Sequence, residues 1–137
     1  MKKTIQLLCL ILLTGVVKSQ NLNISTSYKE ICNWNPATSD FDQCGDNEEF
    51  ASMFTLNADE TMFNHTTSTI KSAYYVTKKE YSSTCSCYEY DVTSDVGNKY
   101  TFIVDLDHNM VKILSSGHDN AKDDYLITFT VKSHWKD

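Results

Sequence analysis

The sequence predicts an all-β protein: a single small domain whose six to seven antiparallel strands form a meander, closed as a barrel or folded as a β-sandwich. Three observations carry this. From Phe50 onward, apolar and polar residues alternate with period two, the repeat of half-buried strands. Clusters of Asn, Asp, Ser and Gly separate the runs, as turns between strands require. No long segment carries a helical period.

The elements follow in order. Phe50, Phe54 and Leu56 fall on one face, and Asn57 to Glu60 turn the chain. Thr61 to Thr66 form a short strand. Ile70, Ser72, Tyr74 and Val76 share a face, as do Tyr88, Tyr90 and Val92. Ser94 to Asn98 turn the chain into Tyr100, Phe102 and Val104. Asp105 to Asn109 turn it again into Met110 to Leu114. Tyr125, Ile127, Phe129 and Val131 complete the set. β-Branched and aromatic residues fill these runs, as pleated surfaces prefer. The segments 100–104 and 110–114 are apolar on both faces, which reads as strands covered on both sides. Ser133 to Asp137 are expected to fray unless Trp135 docks.

Before Phe50 the chain reads differently. Residues 1–19 have the form of a cleaved signal peptide: Lys2 and Lys3, an apolar run from Ile5 to Val17, then Val17 and Ser19 before a cut at Gln20. The run is shorter than the roughly 20 apolar residues of a membrane-spanning helix. Cys9 sits mid-run without a small residue before it, so lipidation is not expected. Residues 20–49 are polar, hold Pro36, and include an acidic stretch from Asp40 to Glu49. They read as an irregular N-terminal segment in which only Tyr28 to Trp34 suit a strand. Residues 50–137 are the β domain.

Charge narrows the partners. Three of the 12 lysines lie in the leader and no acid does, so its removal takes the net charge from −6 to −9. That balance repels phosphate backbones and anionic lipid. The chain also holds no arginine, the bidentate reader of phosphate and guanine. Nucleic acid is therefore not an expected partner, and no membrane span is expected after signal cleavage.

Discarding Cys9 leaves Cys32, Cys44, Cys85 and Cys87, an even number in an exported chain, which points to disulfides. If 85–87 is extended, its two cysteine Cα atoms lie about 6.6 Å apart, near the upper limit for a bridge. Both sulfurs would leave from one face. The favoured pairing is therefore Cys32 and Cys44 each to one of Cys85 and Cys87, pinning the N-terminal segment onto the sheet. Zinc is not expected, because paired Cys-x-x-Cys knuckles are missing.

Other chemistry is thin. Asp105, Asp107 and Asn109 imitate the start of a calcium loop, but Met110 and Ser116 stand where the glycine and the bidentate glutamate belong. A hairpin turn accounts for them. The acidic stretch 40–49 reads as a solvated loop with oxygens enough for a cation. His65, His108 and His118 read as lying in or near turns and His134 in the tail, without ligand spacing, and there is no Gly-x-Ser-x-Gly elbow. Asn23 and Asn64 match glycosylation acceptors. No catalytic residue, metal ligand or cofactor is assigned.

Aromatics are the remaining signal. Tyrosines offer flat area with a polar tip, suited to carbohydrate or peptide. The candidate binding residues are Tyr75, Tyr88, Tyr90 and Trp34. The expectation is a non-catalytic exported binding module for a protein or glycan. The alternative is a barrel carrying a small apolar ligand, of lipocalin-like architecture. Against that family's first motif, Asn33-Trp34-Asn35 lacks the glycine before the tryptophan, and Asp124-Tyr125 falls too late for a later one. A secreted hydrolase ranks third.

Overall fold

The structure, a computed structural model, describes residues 20–137. The expected signal peptide lies outside the described residues. Among them, nine strands form one antiparallel sheet: β1 (Leu22–Asn35), β2 (Asp40–Cys44), β3 (Glu48–Leu56), β4 (Met62–Thr66), β5 (Lys71–Ser82), β6 (Cys87–Ser94), β7 (Lys99–Asp105), β8 (Met110–Ser115) and β9 (Tyr125–Lys136). From β3 to β9 each strand pairs with the next, as a meander does. β1 then pairs with β9 on one side and with β3 on the other. Eight strands thereby close a barrel, and β2 is an extra strand on the upper half of β1. No helix among the described residues is long and apolar enough to cross a membrane.

The all-β reading and its barrel form hold, but the N-terminal segment is not irregular. Residues 22–35 form the longest strand, and they close the barrel. The sequence marks only Tyr28 to Trp34 of this strand, and polar composition hides the rest. Asn23 and Thr26 are buried, which costs free energy unless they are hydrogen-bonded. Here they are: the Thr26 and Ser52 hydroxyls pair across β1 and β3 at 2.6 Å. The Asn23 amide donates to Asp137 at 2.9 Å and accepts from the Thr55 hydroxyl at 3.1 Å. The tail does not fray either. β9 runs to Lys136, opposite Leu22, and two backbone bonds join Asn21 to Asp137.

An eight-strand barrel has an interior just wide enough for side chains to fill. Phe54, Phe63 and Phe102 fill it, each 0 % exposed, with Ile24, Val92 and Val111 around them. Phe102 meets Phe63 at 5.1 Å and Phe54 edge-on at 6.0 Å, the separations aromatic pairs prefer. The doubly apolar strands β7 and β8 have no second layer over them among the described residues. Their outward Ile103, Met110 and Leu114 are only half-buried, against side-by-side neighbours.

Turns alternate between two ends. The β3–β4, β5–β6 and β7–β8 turns gather at the end where the chain termini meet. The β4–β5 and β6–β7 turns, the β8–β9 loop and the β1–β2 hairpin gather at the other. This overturns the expected cysteine pairing. Cys32 bonds Cys44 directly across β1 and β2, where the Cα atoms are 3.9 Å apart. Cys85 bonds Cys87. The first pair sits at the hairpin end and the second at the terminus end, out of mutual reach. Residues 85–87 are not fully extended: Cys85 lies in the turn, and Ser86 has a φ of 53°. The Cα separation falls to 5.2 Å, within the ordinary range for a bridge.

Two outcomes are expected. Proteolytic mapping without reduction places Cys85 and Cys87 in one internally bridged peptide, unlinked to Cys32 or Cys44. Phe102→Ala lowers stability by about 3–5 kcal/mol in urea denaturation, since it empties the centre of the barrel.

Candidate functional site

The filled middle leaves the two barrel ends as recesses. At the terminus end, a hollow of about 270 Å³ is lined by Leu22, Glu60, Tyr88, Tyr90, Val104 and Asp107, among others. Glu60 reaches it from the β3–β4 turn, where it adopts a φ of 57°. The Tyr90 hydroxyl donates to Glu60 Oε1 at 3.1 Å. Lys79 Nζ lies 2.6 Å from Glu60 Oε2 and 4.2 Å from the centre of the Tyr88 ring, a cation–π contact. Burial, and then the Glu60 carboxylate, raise the Tyr90 phenol above its ordinary range. Tyr81 stands opposite Tyr88 across β5 and β6, with ring centres 5.4 Å apart. Tyr81 is 60 % exposed and Tyr88 45 %. Two phenols thus form an open shelf beside a paired carboxylate and ammonium.

At the hairpin end, a recess of about 170 Å³ is lined by Lys29, Phe50, His65, Tyr74, Tyr100 and Phe129, with Ile113, Tyr125 and Ile127. All come from inward positions of seven different strands. The strands place His65 opposite Phe54, and the imidazole stacks on that ring at 4.1 Å. His65, within the expected strand Thr61 to Thr66, is therefore an inward strand residue. Its Nε2 is buried and has no hydrogen-bond partner. Burial, and secondarily the Lys29 charge, push its pKa down to about 4. Lys29 Nζ lies 3.9 Å from the Phe50 ring centre and 3.5 Å from Glu48 Oε1. Burial raises the phenols of Tyr74 and Tyr100.

The four aromatic candidates do not form one site. Tyr88 and Tyr90 share the terminus end, where Tyr88 is the contact surface and Tyr90, 3 % exposed, holds Glu60. Tyr75 points outward from the wall of β5, between Met62 and Thr93. Trp34 is half-buried at the hairpin end, edge-on to Phe41 at 5.1 Å. Sequence reasoning passed over Lys29, Glu60, His65 and Tyr81. Lys29 lay in the Tyr28–Trp34 stretch that suited a strand, but nothing in the sequence turned it inward, and Tyr81 lay outside the runs assigned to strands. Only the cross-strand register brings any of them together.

Metal-binding chemistry has little to work with. Among the described residues, the one group close enough to share an ion is Glu30, Cys32 and Cys44, and both its sulfurs are in a disulfide. Both oxygens of Asp105 lie 2.9 Å from His108 Nδ1, and Asn109 has a φ of 54°. The calcium-like residues are a capped turn. In the acidic stretch, Asp42 accepts from the Thr38 hydroxyl, which with Asn35 lowers its pKa.

No protein-family model matches the chain, and no curated protein or solved structure matches it either.

His65 makes a pH dependence. Its folded pKa lies below the ordinary 6.5, so the unfolded chain takes the proton first. The associated stability is complete above pH 6.5 and drains away as pH falls toward about 4, by at most roughly 3 kcal/mol. Urea titrations across that window are expected to show the decline in the wild type and not in His65→Phe. The carboxylates of Asp42 and Asp124, whose pKa values are lowered from 3.8, add their own loss only below that pH.

Proposed function

We propose that the chain is an exported, non-catalytic binding module that grips a glycan on the Tyr81–Tyr88 shelf. One observation carries this reading: two exposed phenols form a cross-strand pair, one of which, Tyr88, lines a recess with the carboxylates of Glu60 and Asp107, and Lys79 pairs with that Glu60. Flat aromatic area meets the apolar face of a sugar ring, and the charged pair offers acceptors and donors to its hydroxyls. The rest of the surface favours a glycan over a protein partner. The other large exposed apolar residues are spread over the surface: Ile70 and Val96 on hairpin-end turns, Tyr75 on β5, Tyr28 and Ile31 on β1, and Trp135 near the end of β9. A stable protein interface is built on a contiguous patch. The disulfides Cys32–Cys44 and Cys85–Cys87 suit an oxidising compartment outside the cytoplasm.

The carrier reading keeps less ground. Phe54, Phe63 and Phe102 occupy the space a central ligand would need. Each end recess is smaller than the roughly 300–1,000 Å³ usual for ligand pockets.

An oligosaccharide panel tests the proposal. A hit is expected to perturb the ring resonances of Tyr81 and Tyr88. Tyr81→Ala is expected to weaken it by about tenfold, a typical loss for an exposed anchor. A panel in which no oligosaccharide moves those resonances, or a hit indifferent to Tyr81→Ala, overturns it.

A further inference from the structure

We propose that Asn64 is an N-linked glycosylation site whose first sugar rests on the ring of Tyr75. The proposal uses the export argued above and is independent of the tyrosine shelf.

Two segments carry the acceptor pattern, Asn23-Ile24-Ser25 and Asn64-His65-Thr66. The barrel treats them differently. Asn23 is 8 % exposed. Its amide nitrogen, the atom a glycan would take, donates to Asp137, and its oxygen accepts from Thr55. Trp135 of β9 stands opposite it. A sugar on this nitrogen would force the Asn23–Asp137 contact apart and crowd the seam that closes the barrel.

Asn64 lies in the middle of β4. Phe63 and His65 on either side of it are inward, so alternation turns Asn64 outward. Across the sheet it faces Thr55 on β3 and Ala73 on β5, both small. A bulky glycan belongs on such a surface.

Tyr75 supplies an independent observation. Tyr74 packs on the core, so Tyr75 is outward, on the same face as Asn64. It pairs with Met62, one outward position along β4 from Asn64. Diagonal neighbours of this kind lie within reach of an aromatic side chain. Ala73, directly opposite Asn64, adds only a methyl group beside the ring. Tyr75 is 52 % exposed and belongs to neither barrel end. Its flat face suits the apolar face of N-acetylglucosamine.

The donor is a lipid-diphosphate-linked oligosaccharide, presented with its transferase in a eukaryotic secretory lumen. The bond from Asn64 Nδ2 to the sugar C1 forms as the C1–O bond to the diphosphate breaks. The amide gives up one proton, and the lipid diphosphate leaves. The transferase meets the chain before it folds, so both acceptors are open to it. Barrel closure then decides which modified chain survives.

The full chain, expressed in a eukaryotic secretory host, tests the site. Glycopeptide mass spectrometry reads Asn23 and Asn64 in the secreted and retained pools. Most secreted chains are expected to carry a glycan at Asn64 and none at Asn23. Glycan on Asn23 is expected only in the retained pool. Asn64→Gln changes an outward side chain and is expected to be secreted bare. On secreted protein trimmed to its first sugar, NMR is expected to show contacts between N-acetylglucosamine and the Tyr75 ring. That sugar is expected to raise the folding equilibrium constant about three- to tenfold in urea denaturation, and Tyr75→Ala to remove the gain. The proposal falls if secreted chains carry Asn23 occupied, or if Asn64-modified chains are confined to the retained pool. It also falls if the trimmed sugar leaves Tyr75 and stability unmoved. A chain left in the cytosol overturns export and this site together. An exported chain with Asn64 bare overturns this site alone.

Discussion

The barrel depends on β1 being hydrogen-bonded along both edges. Its lower half pairs with β3, its upper half with β2, and nearly its whole length with β9. A meander of β3 to β9 alone would be an open sheet with two unpaired edges and a half-exposed aromatic face. Closing it buries Phe54, Phe63 and Phe102 from every side. Burial at roughly 25 cal/mol per Å² of apolar surface makes this the main source of stability, and one strand makes that burial possible. The bulges near Thr26 and after Val76 let the long strands β1 and β5 bend round the corner.

Closure at eight strands also decides where binding can occur. Such a barrel is too narrow to keep both a packed centre and a central ligand cavity. Three phenylalanines take the centre, so polar groups with spare capacity collect at the rims. The two rims differ in kind. At one, Glu60, Lys79 and Tyr90 satisfy one another and leave phenols open to solvent. At the other, Lys29 is half-buried and His65 is left with an unpaired nitrogen.

The sequence made the walls legible and the ends obscure. Period-two alternation located β3 to β9, because an inward Phe102 or Phe129 and its polar neighbours announce a half-buried strand. Only the Tyr28–Trp34 half of β1 was legible, because the other half buries Asn23 and Thr26 against Asp137, Thr55 and Ser52, partners that only the fold supplies. The disulfides escaped because a left-handed Ser86 shortens the Cys85–Cys87 separation, a conformation serine rarely adopts. Tyr88 was found as a site residue through its aromatic character. His65 fell in the expected strand Thr61 to Thr66 but was given no role, since nothing local marks an inward histidine until Phe54 lies beneath it.

β1 outruns the barrel. Above Lys29 its partner β3 has ended, so the overhang from Glu30 to Asn35 would offer bare amides and carbonyls on that side. β2 doubles back to cover them, and Cys32–Cys44 rivets the cover in place. A bare strand edge recruits other chains. The rivet thus acts as a guard against self-association as much as a brace. Thiol reductants would unlatch the flap and leave an edge prone to add strands from neighbouring molecules.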